Sequence, residues 1–161
     1  MPSLRRYARA LLRDMDIADD LVQDCLERAL SRRHLWRGGL DLRPWLFRIL
    51  HNVCMNEVRA RRTRPVHESI DRIVDLPAGP EGHDARLELQ EMETALDQLV
   101  EEQRQVILLI ALTGLSYREC AQALDVPVGT IMSRLSRGRE RLRELLKDET
   151  NSPSRVLRRI K

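Results

Sequence analysis

Aromatic side chains are scarce, only 3% of the 161 residues, and no alternating run of β-branched residues occurs. The half-buried strands that such alternation marks are therefore not expected, and the abundance of Leu, Arg, Glu and Ala points to an all-helical chain. No apolar run approaches the ~20 residues that a membrane helix needs. The N-terminus is basic but lacks the continuous apolar core of a signal peptide, so the expected compartment is the cytoplasm. Cysteine is limited to Cys25, Cys54 and Cys120, widely spaced, odd in number and without a CxxC pair. Buried free thiols are expected of them. His51 and Cys54 lie three apart on one helix, but two ligands do not make a metal site and no cluster supplies the others. No metal or cofactor is expected. A nucleophile–base pair and a glycine loop for phosphate are also lacking, which argues against an enzyme.

What is present is charge, unevenly placed. Residues 1–65 carry 14 Arg against 8 acidic residues, residues 66–103 carry 2 against 11, and residues 104–161 carry 12 Lys/Arg against 6. The net +3 thus hides two basic blocks around an acidic connector, a pattern suited to two polyanion-facing modules.

The most informative stretch is Leu115 to Leu146. Ser116 with Glu119 three residues on forms a capping box at a helix start. Ala121 and Leu124 give that short helix an apolar face, and Asp125-Val126-Pro127 ends it. A second helix is expected from Val128 to about Leu146, with Ile131, Leu135, Leu142 and Leu145 or Leu146 on its inner side. Arg134, Arg137, Arg139, Arg141 and Arg143 occupy the other side. Such a pair is a helix-turn-helix, whose second helix can enter a major groove. An ordinary helical hairpin with a solvated charged face fits too, since Glu140 and Glu144 can pair with the arginines.

Upstream, a first helix is expected over 2–13 with Leu4, Ala8, Leu11 and Leu12 inward. A second should run over 17–33, capped by Asp16, with Leu21, Val22, Cys25, Leu26, Ala29 and Leu30 as its stripe. Its other face holds Asp19, Asp20, Gln23, Asp24 and Glu27. A loop around Gly38-Gly39, containing Trp36 and Arg37, leads to a third helix from Asp41 or Leu42 to Arg62. There Trp45, Leu46, Ile49, Leu50, Val53 and Val58 form the buried side. Residues 63–84 read as an extended linker. A helix resumes near Ala85 with Leu87, Leu89, Met92, Leu96 and Leu99. The apolar run Val106 to Leu112 resembles a buried strand, but Glu101 to Arg104 before it and Gly114 as a C-cap after it favour a core helix.

Two motif sets, in order, resemble an extracytoplasmic-function (ECF) sigma factor of the sigma-70 family. ADDLVQDCLERAL (Ala18–Leu30) with DLRPWLFRILHNVCMNEVRARR (Asp41–Arg62) is similar to the family's sigma-two domain. LTGLSYRECAQALDVPVGTIMSRLSRGRERL (Leu112–Leu142) is similar to its sigma-four domain. The resemblance implies an all-α protein with a three-helix domain over 1–64, an acidic linker over 65–84, a four-helix domain over 85–147 and a basic tail over 148–161. It implies an alternative sigma factor that brings core RNA polymerase to promoters, through the β′ clamp helices and β flap. It also implies an anti-sigma partner, no membrane association and a monomer when free.

Residue by residue, Asp20, Leu21, Gln23, Asp24 and Glu27 correspond to the polymerase-gripping surface. Trp36 and Arg37 in the loop, with Asn52 and Asn56, correspond to positions that recognise the −10 element and an extruded base, for which an amide offers donor and acceptor together. Arg59, Arg61 and Arg62 would hold nearby phosphates. Met132, Ser133, Ser136 and Arg137 correspond to positions facing the −35 element, with Arg137 as the base reader. Arg118, Arg134 and Arg141 would add phosphate contacts, although Arg134 could instead pair within its helix. The linker, with Asp71, Asp75, Glu81 and Asp84, corresponds to the segment that threads the polymerase channel used by RNA. Three departures stand out. Met132 and Ser136 are unusual at their positions. Gly138 inside the recognition helix should cost up to ~1 kcal/mol against alanine. Trp36, Trp45 and Phe47 are the few aromatics near the expected melting surface. A sigma-like mimic that sequesters an anti-sigma factor, and a stand-alone helix-turn-helix repressor, are the alternatives.

Overall fold

Leucine and alanine at helical spacing, with arginine elsewhere, make α1 (Pro2–Leu12) strongly two-faced. The computed structural model describes residues 2–35, 41–63 and 82–150. Leu4, Tyr7, Ala8, Leu11 and Leu12 are buried, so the inner face includes Tyr7 as well as the expected aliphatics. Arg13 then takes a left-handed conformation, φ 57°, and its N–H closes onto the Arg9 carbonyl at 2.8 Å. This reversal sets Asp14, and not the expected Asp16, at the N-cap of α2 (Met15–Ser31). The Asp14 side chain accepts from the Ile17 N–H at 3.0 Å, which satisfies a helix-start donor.

α2 buries Ala18, Val22, Cys25 and Ala29. Its stripe is narrower than expected, because Leu21 and Leu26 are only half-buried and Leu30 is 66% exposed. One 3-10 turn, Arg33–Leu35, follows. α3 (Leu42–Thr63) has Pro44 in its first turn, where the missing N–H needs no partner. It buries Leu46, Phe47, Leu50, Val53, Cys54 and Met55. Trp45, Ile49 and Val58 are half-buried.

Phe47 therefore belongs to the core and not to a melting surface. It is 1% exposed, and its ring meets Tyr7 edge-on at 5.9 Å and 80°. The Tyr7 hydroxyl is hydrogen-bonded to His51 Nδ1 at 3.0 Å, so a buried polar tip has a partner. Fully burying side chains of this size contributes roughly 1.5–3 kcal/mol each. Two ion pairs fasten the three helices from outside. Arg9 grips Asp19 at 2.7 Å, tying α1 to α2, and Arg61 reaches Asp14 at 3.3 Å, tying α3 to the start of α2.

The second half contains α4 (Gly82–Asp97), α5 (Glu101–Thr113), α6 (Tyr117–Leu124) and α7 (Val128–Thr150). Residues 64–81 of the expected linker, with Asp71, Asp75 and Glu81, lie outside the described residues, and α4 already starts at Gly82. The apolar run is helical, as its flanks indicated. Val106 and Leu109 are fully buried, and α5 ends where Thr113 Oγ1 donates to the Leu109 carbonyl and accepts from the Leu115 N–H. Gly114, φ 68°, supplies the left-handed turn. α4 buries Ala95, and Leu99 in the turn after it is buried too, while Leu89 and Met92 are exposed.

Two compact units result. One combines Met1–Arg72 with Leu108–Met132, and the other combines Ile73–Ile107 with Ser133–Lys161. The first unit holds α1, α2 and α3 together with α6, which packs along α3. Arg48 of α3 pairs with Asp125 at 2.7 Å, and the Arg43 guanidinium donates to the Thr113 carbonyl at 2.6 Å. In the second unit, α7 crosses α5 closely enough that a Cβ on Gly138 would lie 2.7 Å from Ile107 Cδ1 and 3.2 Å from Gln103 Cβ. Gly138 thus continues the buried stripe of Ile131, Leu135 and Leu145, and a side chain there would have to displace the end of Ile107 and crowd Gln103.

Candidate nucleic-acid interface

The turn between α6 and α7 is built from local chemistry. Ser116 Oγ accepts from the Glu119 N–H, and the Glu119 carboxylate accepts from the Ser116 N–H at 2.7 Å, so the capping box is present. Asp125 caps the other end of α6 in a left-handed conformation, φ 57° and ψ 45°, a region where Asp is among the few tolerated residues. The Val126 N–H returns to the Ala121 carbonyl, and Pro127 supplies the carbonyl that opens α7. Arg118, Gln122, Asp125, Val126 and Val128 line an open groove of about 530 Å³ across this turn.

From the turn onward, one side of α7 faces outward. Met132 is 54% exposed, and Ser133, Ser136, Arg137 and Arg141 are exposed with it. Arg118 on α6 is exposed too, and Arg134 is half-exposed. Among the described residues Arg134 makes no ion pair, whereas Arg141 is held by Glu144 at 3.0 Å. The helix therefore presents a mixed surface of apolar Met132, two hydroxyls and several guanidinium groups, the side-chain types that read base edges and phosphates.

On α3, Asn52, Asn56 and Arg59 are exposed at helical spacing along one side. Arg61 sits differently. Its guanidinium is shared between Glu57 at 3.0 Å and Asp14 at 3.3 Å, so it is also a structural clasp. Trp36 and Arg37, and the Arg62 side chain, lie outside the described residues.

On α2 the acidic face divides by task. Asp19 is committed to Arg9, whose hydrogen bond holds its carboxyl below the usual carboxylate range. Asp20, Gln23 and Glu27 are exposed, with Leu21 and Asp24 half-buried beside them. Gln23 donates to Glu27 at 3.1 Å and Arg28 pairs with Asp24 at 2.7 Å. The inward role of Asp19 was not visible in the sequence, because its partner lies on another helix. The three cysteines are free and buried, and burial pushes the Cys54 thiol up to about 12. His51 is engaged with Tyr7. Among the described residues no group of three or more His, Cys, Asp or Glu could hold a metal, and no helix is long and apolar enough to cross a membrane.

Residues 1–51 match the family described as the Sigma2 domain of PhyR, and residues 89–142 match Sigma-70, region 4. The chain is 39% identical over 146 residues to the ECF RNA polymerase sigma factor EcfG of Rhodopseudomonas palustris, covering 91% of this chain and 80% of that relative. Among solved structures, the sigma factor RpoE of Bartonella quintana, in complex with the anti-sigma factor NepR, aligns with TM-score 0.73 and 38% identity over 91% of both chains. CnrH, in complex with the cytosolic domain of CnrY, aligns with TM-score 0.68 and 29% identity over 93% of this chain and 82% of that one. The similarity to ECF sigma factors runs along nearly the whole chain, and the protein belongs to the ECF sigma factors of the sigma-70 family.

Proposed function

We propose that the protein is an alternative sigma factor that binds core RNA polymerase and directs transcription from promoters carrying its own −10 and −35 elements. The observation that carries this reading is the outward face of α7, where Met132, Ser133, Ser136 and Arg137 stand exposed behind a capped turn. Arg137 reads a base, and Arg118, Arg134 and Arg141 hold phosphate. Asn52 and Asn56 on α3 take the −10 element together with Trp36 and Arg37, and Arg59, Arg61 and Arg62 hold its backbone. Asp20, Leu21, Gln23, Asp24 and Glu27 form the polymerase-binding surface, whose acidic character suits a basic partner. The modules span about 1–64 and 85–147, with 65–84 as the strap between them and 148–161 as a tail. The protein works in the cytoplasm without catalysis of its own, and an anti-sigma factor holds it silent.

The mimic reading is weaker, because a protein that only sequesters an anti-sigma factor has no need of the exposed Arg59 and Arg137. Run-off transcription with purified core polymerase separates the two. A defined transcript is expected from the wild-type chain and none from Asp20→Arg/Gln23→Ala, provided circular dichroism shows the variant folded. A folded wild-type chain that yields no transcript and no association with core polymerase would overturn the reading.

A further inference from the structure

Among the described residues, left-handed backbone is used at Gly114, φ 68°, at Asp125, φ 57°, and at Arg13, φ 57°. Glycine takes that conformation without steric cost, and Asp is one of the few side chains tolerated there. Arginine is neither. Its Cβ crowds the following carbonyl, so Arg13 holds the turn between α1 and α2 in a conformation that glycine would adopt freely. Residues kept in this region against their preference cluster at functional positions. The turn itself is closed by backbone and by the Asp14 carboxylate. The Arg13 N–H meets the Arg9 carbonyl at 2.8 Å, and Asp14 accepts from the Ile17 N–H at 3.0 Å and from Arg61 at 3.3 Å. The Arg13 side chain is exposed beside them.

The Arg61–Asp14 contact sets this turn against the end of α3, where Arg59 is exposed too. Arg61 commits its guanidinium to Glu57 and Asp14, which offsets much of its charge. Arg13 brings positive charge back to the same end of the unit, from a different helix. The partner of such a charge is narrowed by its neighbours. Asp20, Gln23 and Glu27 on α2 are exposed and suit a basic protein surface, which an arginine would repel. An arginine beside the basic end of α3 suits a run of phosphates instead. A guanidinium grips phosphate through two parallel N–H bonds, and such contacts set register on DNA without reading its sequence.

Resting on the promoter-reading role above, we propose that Arg13, in the turn between α1 and α2, is a further DNA-binding residue that holds a backbone phosphate next to those held from the end of α3. Its ligand is a phosphodiester in any base sequence. The contact releases a counterion from the DNA, so its strength falls as salt rises. Glycine at this position would ease the turn and lose the contact, and that opposition separates a binding role from a structural one.

The test uses core polymerase loaded with the full chain, on a promoter fragment that the wild-type complex selects from a randomised library. Fluorescence anisotropy gives the affinity between about 50 and 200 mM salt. Arg13→Gly should bind more weakly, to altered sequences as much as to the selected one. Its plot of log affinity against log salt should be shallower by about 0.9, so that its deficit narrows roughly three- to fourfold across that range. Arg13→Lys should keep the wild-type slope, because an ammonium also neutralises a phosphate. The urea midpoint of Arg13→Gly should equal or exceed that of the wild type, and association with core polymerase in the absence of DNA should be unchanged. The proposal is overturned if Arg13→Gly keeps the wild-type slope or if Arg13→Lys loses it. It is also overturned if the deficit already lies in association with polymerase alone, which would assign Arg13 to a protein contact. Should Arg13→Gly have a lowered midpoint, Arg13→Asn, which also tolerates left-handed backbone, decides through its slope. If the wild-type complex selects no sequence, the promoter-reading role fails, and the same slopes on a mixed-sequence duplex still decide the phosphate contact.

Discussion

Arg137 and Arg61 show how alike residues divide their work. Arg137 stands exposed on α7, and its proposed role is the bidentate pairing with guanine that a guanidinium makes in the major groove. Arg137→Ala should weaken binding to a duplex with the matched −35 sequence by about 1–3 kcal/mol, and bind altered sequences with little change. Fluorescence anisotropy on matched and substituted duplexes measures this. An equal loss on every duplex would make Arg137 a phosphate contact. Arg61, by contrast, is bound to Glu57 and Asp14. The sequence placed both arginines on outward faces, since periodicity assigns faces but does not name partners on other helices. Tyr7 was legible in principle, because it shares the spacing of Leu4 and Leu11, but a tyrosine beside arginines resembles a surface residue until His51 and Phe47 are seen to surround it.

Among the elements, those set by local rules were readable. The Ser116–Glu119 capping box, the Gly114 reversal and the helical state of the apolar α5 all follow from residues within a turn of one another. Elements set by distant contact were not. Leu89 and Met92 continue a helical stripe yet are exposed, while Ala95 of α4 and Leu99 in the turn after it are buried. Gly138 looks like a weak point in α7 but lies where that helix meets α5. Gly138→Ala gains up to ~1 kcal/mol in helix propensity and loses ~1–3 kcal/mol to overpacking against Ile107 and Gln103. The net is a loss on the order of 1 kcal/mol, visible as a lower midpoint in urea. Ile107→Val removes the nearest methyl and should recover part of that loss. A more stable Gly138→Ala chain would mean that α5 yields freely.

The whole molecule carries three thiols whose ionisation burial opposes, Cys25 and Cys120 pushed up to about 11 and Cys54 to about 12. In the unfolded chain a thiol ionises near pH 8.5. The folded state therefore holds more protons above that pH, and stability falls as pH rises. The contribution is fully present below about pH 8.5 and is lost progressively from there toward pH 12. Unfolding free energy from urea titrations should be flat in this respect between pH 7 and 8 and decline from pH 8.5 to 9.5. Cys54→Ala should start lower but decline less steeply. An identical slope would show that Cys54 ionises as readily in the fold as in the open chain. The two-module plan could be read from charge and motif, but the packing of α6 on α3 could not, since a long intervening segment permits many pairings and favours none.

The double hold on Arg61 also matters for any alanine scan of the basic end of α3. Losing that side chain would slacken the junction between the first two helices and the third, so a drop in DNA affinity could come from a looser scaffold with every phosphate contact still available. Heat resistance has to be compared first, and an Arg61→Lys chain, which keeps the charge but gives up the forked grip, separates the two causes.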